Sequence, residues 1–508
     1  MKAPAMPVVL AACLMAIIGQ VSLAVFESPA ADAAKVDSGI SSAVDHYVNQ
    51  QMGELHIPGL ALALIIDGNL AYERGYGKAD PANRKVIPNT PFILGSTSKQ
   101  LTAIAVHQLL RSHRMVLDAP VAQYLPWFGS APDQHAKITI RQLLSHKSGI
   151  STWQGLENRL GDGGPDDTLE ANARRLSHEV LARAPGSAFE YSNANYDLLG
   201  YLVQVVSGEP YTDYMREHVF APLGMDDTYA SKTEAARAGL AAGFYPWFGV
   251  SAIATPTPYP RSSVPSSFLI STAHDLATEV LAELGQVPRD QSEIDAALLD
   301  ATRAPLTRIN TYSEYASGWF VHRFWPEMRQ SEDPNDPSLP HMYEHDGTAS
   351  TFRSYIGFVP QRGFGLVMTL NTTDETIPSR WGYLNDGIVR LAVGGQPQVP
   401  VISEDLLHHY ARLVYVLGLL VQIAVSTWSL FDRRRSPVVV VVAALVNAGA
   451  LGLALIYAPV SSGVPLPVLL RLSPDLGLMT LLAGAVTLAW LTVQIRLVIS
   501  RQKRLQLD

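Results

Sequence analysis

From Tyr410 onward the chain stops reading like a water-soluble protein. Residues 410 to 500 are dominated by Leu, Val, Ala and Ile. Three segments there, Tyr410 to Phe431, Pro437 to Ala458 and Leu476 to Val498, are each long enough to cross a hydrocarbon core, which takes about 20 apolar residues. Buried core helices rarely come three in succession, so the pattern predicts three transmembrane helices within residues 410–508, reached through a linker at 401–409. Charge sets their orientation. Asp432-Arg433-Arg434-Arg435 separates the first two segments, Arg501-Gln502-Lys503-Arg504 lies near the end of the chain, and residues 459–474 carry only Arg471. By the positive-inside rule the first loop and the tail are cytoplasmic, which places everything before residue 410 outside. The expectation is a multi-pass protein of a bacterial cytoplasmic (inner) membrane, its main domain periplasmic or extracellular. The lipid bilayer is its first expected partner, and the spans offer a surface for a homodimer.

The other end agrees. Pro7 to Phe26 is an apolar run behind Lys2, followed by Ser22-Leu23-Ala24 and Ala31-Asp32-Ala33, both readable as cleavage sites. Residues 1–34 therefore read as a signal peptide or, if uncleaved, an N-terminal anchor. Leu10-Ala11-Ala12-Cys13 matches a lipoprotein box, but the apolar run continues past the cysteine instead of ending at it. Cys13 is the only cysteine, so a cleaved chain has no disulfide and no cysteine metal site. A net charge of -8 without a basic block argues against nucleic acid as a partner.

Residues 35–400 have ordinary composition and suffice for one large domain. Gly39 to Met52 has helical spacing. Gly59 to Ile66 and Leu70 to Tyr76 are apolar runs around Asp67-Gly68-Asn69, a hairpin signal. Arg353 to Val359 and Gly363 to Asn371 form a second hairpin, followed by a helix at about Gly382 to Val393. Between these ends lie helical patterns and Pro/Gly-rich loops without regular strand-helix alternation. The expected class is α+β: an antiparallel sheet built from both ends of the domain, flanked by helices, with a helical subdomain inserted.

Three short motifs carry chemistry. Ser96-Thr97-Ser98-Lys99 follows an apolar run and a glycine and opens an apolar helical pattern reaching about Leu110. If the helix begins at Ser96, Lys99 lies one turn later on the same face. A serine hydroxyl needs such a base beside it. Ser500-Arg501-Gln502-Lys503 has the same spacing in the cytoplasmic tail, so context decides between the two. Tyr191-Ser192-Asn193 sits in a Pro/Gly-rich loop entering a helix, where a phenol can shuttle a proton and an amide can hold a substrate. Tyr47-Val48-Asn49 and Tyr383-Leu384-Asn385 repeat its pattern inside helical sequence.

The third element needs a hydrogen-bonding residue on an edge strand, followed by Gly for close approach. Lys147-Ser148-Gly149 and His345-Asp346-Gly347 compete. The second comes last and leads through Thr348 into a strand, which favours it. His341-Met342-Tyr343-Glu344-His345 also matches an inverted zinc-peptidase pattern, but that pattern requires a helix, and Pro340 and Gly347 flank it with β-rich sequence. No metal and no cofactor are expected.

With these motifs in this order, the chain resembles the class C β-lactamase and penicillin-binding-protein-like serine hydrolases. Leu117-Asp118-Ala119-Pro120-Val121, Gln142-Leu143-Leu144-Ser145-His146 with Ser148-Gly149, and Pro222-Leu223-Gly224-Met225 look like segments of that family. The resemblance implies Ser96 as acylated nucleophile, Lys99 and Tyr191 as the proton-transfer pair, and Asn193 as a substrate amide contact. It implies His345 in place of the third-motif lysine, with Gly347 and the backbone N–H of Thr348 beside Ser96 at the oxyanion hole. The tail narrows the resemblance to membrane-anchored members similar to the colibactin-maturation prodrug peptidase. Tyr315-Ala316-Ser317-Gly318-Trp319-Phe320 also looks like that group, whereas Asn193 and Thr348-Ala349-Ser350 differ from it.

The expected function is a serine peptidase or amidase acting on a small D-residue-containing peptide of prodrug or cell-wall type. An esterase of the same fold, and a non-catalytic penicillin-binding-like membrane receptor or complex subunit, are the alternatives.

Overall fold

Gly-Leu-Ala-Leu-Ala-Leu-Ile-Ile alternates small and large apolar side chains. A strand sends successive residues to opposite faces. β1 (Gly59–Ile66) accordingly turns Ala61, Ala63 and Ile65 into one core and Leu60, Leu62 and Leu64 into another. Both faces of the sheet are therefore covered.

The structure is a computed structural model describing residues 38–130, 134–158, 164–247, 251–286, 290, 292–324, 336, 338–373, 378–398, 402–431, 437–452, 470 and 474–505. The expected signal or anchor at 1–34, the Asp432–Arg435 loop and the end of the second expected span lie outside these residues.

The remaining strands are β2 (Asn69–Gly77), β3 (Phe92–Ile93), β4 (Phe244–Trp247), β5 (Ser251–Ala254), β6 (Ile270–Ser271), β7 (Thr307–Arg308), β8 (Ser313–Tyr315), β9 (Phe320–Arg323), β10 (His341–Ala349), β11 (Phe352–Val359) and β12 (Phe364–Leu370). Eight of them form one antiparallel sheet in the order β2-β1-β12-β11-β10-β9-β8-β7. The two ends of the domain meet at the β1–β12 pair, where Leu60 faces Leu370 and Ile65 faces Gly365. This is the α+β sheet expected from the two hairpins.

Helices Ser38–Glu54 and Pro378–Ala392 cover one face, with Val44, Val48, Trp381, Leu384 and Ile388 in the Leu60–Leu62–Leu64 core. Tyr47 Oη donates to the Tyr383 carbonyl at 2.9 Å. The two decoy tyrosine motifs thus serve as ties between terminal helices. The second helix begins at Pro378, before the expected Gly382, because proline suits the first helical turn. The opposite face carries the Ser98–Arg111 and Ala273–Glu283 helices and the inserted helical layer. Ser98 to Gln108 and Leu109 are buried almost without interruption, so this helix is central.

The tail forms three helices, Ile402–Phe431, Pro437–Gly452 and Pro474–Leu505, packed against one another. Two expectations change here. Residues 402–409, expected as the linker, are helical and continuous with the first tail helix, where Ile402 to Ala411 holds neither Gly nor Pro. Among the described residues one stretch, Gly477–Arg496, is long and apolar enough to cross a membrane; Val416–Ser429 and Val438–Ala450 are shorter apolar stretches. The expected count of three spans falls to one on this measure among the described residues.

Candidate active site

Gly95 has φ +65 and is followed by a 3-10 turn, Gly95–Thr97, before the α-helix starts at Ser98. The expected helix start at Ser96 is thus displaced by two residues. A left-handed glycine cannot sit inside an α-helix, so the first turn tightens. The turn is pressed onto β10. A Cβ at Gly95 would lie 2.2 Å from Thr348 N, and one at Gly347 would lie 1.9 Å from the Leu94 carbonyl oxygen. Only glycine fits either position. Thr97 Oγ1 and Ser354 Oγ, 2.7 Å apart, close the same seam from below.

Despite the altered turn, Ser96 and Lys99 meet. Lys99 Nζ lies 3.0 Å from Ser96 Oγ, 2.7 Å from Asn193 Oδ1 and 2.8 Å from the Ser266 carbonyl oxygen. Two of these partners can only accept. They take two N–H bonds, which leaves one position on the nitrogen toward Ser96: a lone pair when the amine is neutral, an N–H when it is charged. Such a nitrogen is placed to receive the serine proton. Lys99 is fully buried, while Ser96 and Thr348 are half-buried at the mouth of the cleft.

Tyr191 approaches the amine with its ring face, 4.8 Å from Nζ to the centroid, and Tyr196 does so at 5.8 Å. These are cation–π distances. Asn193 starts the Asn193–Ser207 helix behind Ser192. With Oδ1 on Lys99, its Nδ2 remains a donor.

His345 lies on β10 and is 2% exposed, packed between Phe320 at 5.1 Å and Tyr191 at 6.0 Å, centroid to centroid. Burial, reinforced by the Lys99 charge, pushes its imidazole down to about 3. It is therefore neutral at ordinary pH, unlike a lysine. β9 pairs with β10 only from His341 to Glu344. Beyond that point, among the described residues, the ladder on that side ends, so Gly347 and Thr348 stand at an open strand edge. Lys147 lies instead in the turn after the Ile140–Leu144 helix, where its carbonyl accepts from Gly186 N. His341 and His345 are four residues apart on a strand, roughly 13 Å, which one metal ion does not bridge.

The sequence reading thus brought Ser96, Lys99, Tyr191, Asn193, His345, Gly347 and Thr348 into one place. It missed Ser266, whose carbonyl is presented by the π-helical turn Val264–Phe268. No spacing rule reveals a backbone acceptor 167 residues away. It also gave no role to His146, fully buried with its ring 4.4 Å from Tyr191.

The chain is similar to known proteins in sequence and in fold. Protein flp of Staphylococcus aureus (strain MW2) is 28% identical over 348 residues, covering 68% of this chain and 66% of that protein, so the match spans less than two thirds of that relative. Penicillin-binding protein 4 of Amycolatopsis lactamdurans is 30% identical over 331 residues, covering 63% of this chain and 81% of its own. A class C beta-lactamase structure superposes with a TM-score of 0.58 at 20% identity, over 71% of this chain and 97% of that one, a likeness of fold. The Beta-lactamase family model matches residues 44–386, from the first helix of the sheet to the last. With the greater part of its length so matched, around a sheet and cleft of the same fold, the chain belongs to the Beta-lactamase family.

Proposed function

We propose that this protein is a membrane-anchored serine hydrolase that cleaves an amide bond in a small D-residue-containing peptide through an acyl-enzyme on Ser96. The observation that carries the reading is the Lys99 amine held between Ser96 Oγ, Asn193 Oδ1 and the Ser266 carbonyl. Ser96 Oγ attacks the acyl carbon and its proton passes to the Lys99–Tyr191 pair. That proton then goes to the leaving nitrogen as the C–N bond breaks. Water reverses the sequence and frees the acid. The N–H groups of Ser96 and Thr348 stabilise the developing oxyanion. The open edge at Gly347 and Thr348 receives the substrate backbone as an added strand. Peptides of prodrug type and of cell-wall type are the substrates to offer first.

The membrane part of the reading rests on how the tail is packed. Leu417, Leu420, Leu445 and Leu488 are more than half exposed, whereas Gln422, Asn447 and Thr487 are buried. Such an inverted bundle suits lipid, with Gly477–Arg496 as one span and the other two helices beside it. With the arginine clusters of the sequence on the cytoplasmic side, the reading has the catalytic domain outside.

Membranes containing the full-length protein are treated with a fluorophosphonate probe and with matched D-residue amides and esters. The expected result is labelling that disappears in Ser96→Ala, with turnover of the amides. Labelling that persists in Ser96→Ala would sink the reading. Turnover of esters alone would recast it as an esterase.

A further inference from the structure

Two buried histidines stand behind the candidate nucleophile, joined by one phenol. His146 lies just after the Ile140–Leu144 helix, with φ 54 and ring contacts at 4.4 Å to Tyr191, 5.3 Å to Tyr196 and 4.8 Å to Tyr315. Its Nδ1 faces two donors, Ser192 N at 3.1 Å and Asn195 Nδ2 at 3.0 Å. The Asn195 amide is fixed in that orientation because its Oδ1 accepts from Ser148 Oγ at 2.6 Å. Nδ1 is thus an acceptor, and the single proton of a neutral ring sits on Nε2.

The direction propagates. His146 Nε2–H donates to Tyr315 Oη at 3.2 Å. Tyr315 Oη lies 3.4 Å from His345 Nε2, with the Tyr196 hydroxyl as its other hydrogen-bonding neighbour. His345 carries its proton on Nδ1, because Nδ1 lies 2.6 Å from the Asp346 carbonyl, which can only accept; Nε2 is then the acceptor and Tyr315 the donor to it. Every donor from Ser148 to Asp346 points the same way.

We infer that His146 and Tyr315 are positioning residues that hold His345 in its Nδ1–H form, with Nε2 as an acceptor on the side of Tyr191 and the cleft. This rests on the hydrolase reading above for its kinetic consequence, but not for its geometry. The titratable groups facing the two rings are Lys99, Tyr191, Tyr196 and Tyr315, with Asp346 beside His345 on its own strand. Burial, then Lys99, then His345, holds His146 well below the usual histidine range. Both rings stay neutral, so neither competes with Lys99 for the serine proton. A histidine in the third-motif position then works as a fixed neutral dipole beside Tyr191.

The test uses the full-length protein in lipid nanodiscs with 15N-labelled histidine, whose two-bond 15N–1H correlations distinguish tautomers. Loss of a signal in His345→Gln or His146→Leu assigns the two rings. The expected result is Nδ1–H for His345 and Nε2–H for His146, without protonation between pH 5 and 8. In Tyr315→Phe the His345 signal should become a mixture, and the rate of fluorophosphonate labelling should fall about tenfold, the effect of one neutral hydrogen bond. KM should stay within about twofold, because no binding contact is removed. His146→Gln keeps one acceptor and one donor and should restore the Nδ1–H form, whereas His146→Leu should not. An Nε2–H form of His345 in the unaltered protein overturns the inference. So does a tautomer that ignores Tyr315→Phe, the outcome if the Tyr315 proton goes to Tyr196, whose hydroxyl donates to the Leu144 carbonyl. Failure of the hydrolase reading has a separate signature: no probe labelling of the unaltered protein, whatever its tautomers.

Discussion

The catalytic domain and the tail bundle solve opposite solvation problems with similar side chains. In the domain, apolar residues fill two cores and the large exposed ones are few and scattered, such as Val116, Val180 and Tyr312. In the tail, Leu and Val face outward and the polar residues face in. Gln422 Nε2 lies 3.0 Å from each of Asn447 Oδ1, Thr487 Oγ1 and the Ala483 carbonyl, its two N–H groups shared among the three, and Trp490 Nε1 donates to Ser429 Oγ at 2.7 Å. Burial of polar groups therefore means different things in the two regions. In the tail it ties the helices together, a drive that apolar contact would not supply if the bundle lies in lipid as proposed. In the domain it is spread widely, from His107 and His135 to Asp275, Glu279 and Asn371, and the group around Lys99, Asn193 and His345 is the part that bears on the proposed chemistry. The two regions meet at Tyr245, whose hydroxyl donates to Asp475 Oδ1 at 2.7 Å, two residues before the apolar stretch at Gly477.

The largest effect that sharpens this contrast is in the cleft. Lys99→Ala should lower kcat/KM by about 10²–10⁴-fold, the range for loss of a proton-transfer group. Steady-state kinetics measures it, and a loss below tenfold would remove Lys99 from the chemistry. On the tail exterior, Leu488→Lys should oppose membrane integration by about 3 kcal/mol, seen as release in carbonate extraction. Full retention would mean that this face does not meet lipid.

A buried carboxyl gives the domain a pH dependence. Glu279 is fully buried, and burial, then the Glu283 charge, pushes it well above its usual range. The folded state keeps a proton that the unfolded state has lost, so stability falls as pH rises above the ordinary carboxylate value. The slope is at most about 1.4 kcal/mol per pH unit. Glu279→Gln should flatten that slope and gain stability relative to the unaltered protein from pH 5 to pH 8, read by denaturant midpoints at each pH. The smallest effect lies within the tail bundle. Gln422→Leu should weaken helix association by about 0.6–2 kcal/mol without changing turnover. A loss of turnover instead would show that the bundle bears on the cleft.

Much of this was legible in the chain. The alternation in Gly59–Ile66, the turn at Asp67-Gly68-Asn69 and the Gly after His345 each encode a local geometry that follows from backbone sterics and side-chain period. Local context and the order of the serine, tyrosine and histidine motifs separated the candidate site residues from Tyr47, Tyr383 and Ser500. The rest was not legible because it depends on contacts without a local signature. The 3-10 turn at Ser96 comes from Gly95 pressed against Thr348, two positions far apart in sequence. The Ser266 carbonyl reaches Lys99 through an irregular π-helical turn, and the direction of the His146–Tyr315–His345 bonds is set from two ends, by Ser148 through Asn195 and by the Asp346 carbonyl.

The sequence by itself determined the family, the sheet and the apolar character of the tail, since all three are written in periodicity, motif order and hydropathy. Only the tertiary structure decided what surrounds the Lys99 nitrogen and which way the buried protons point. Those are properties of acceptors brought together from remote segments in a region without water, where each donor must find a partner and each choice fixes the next.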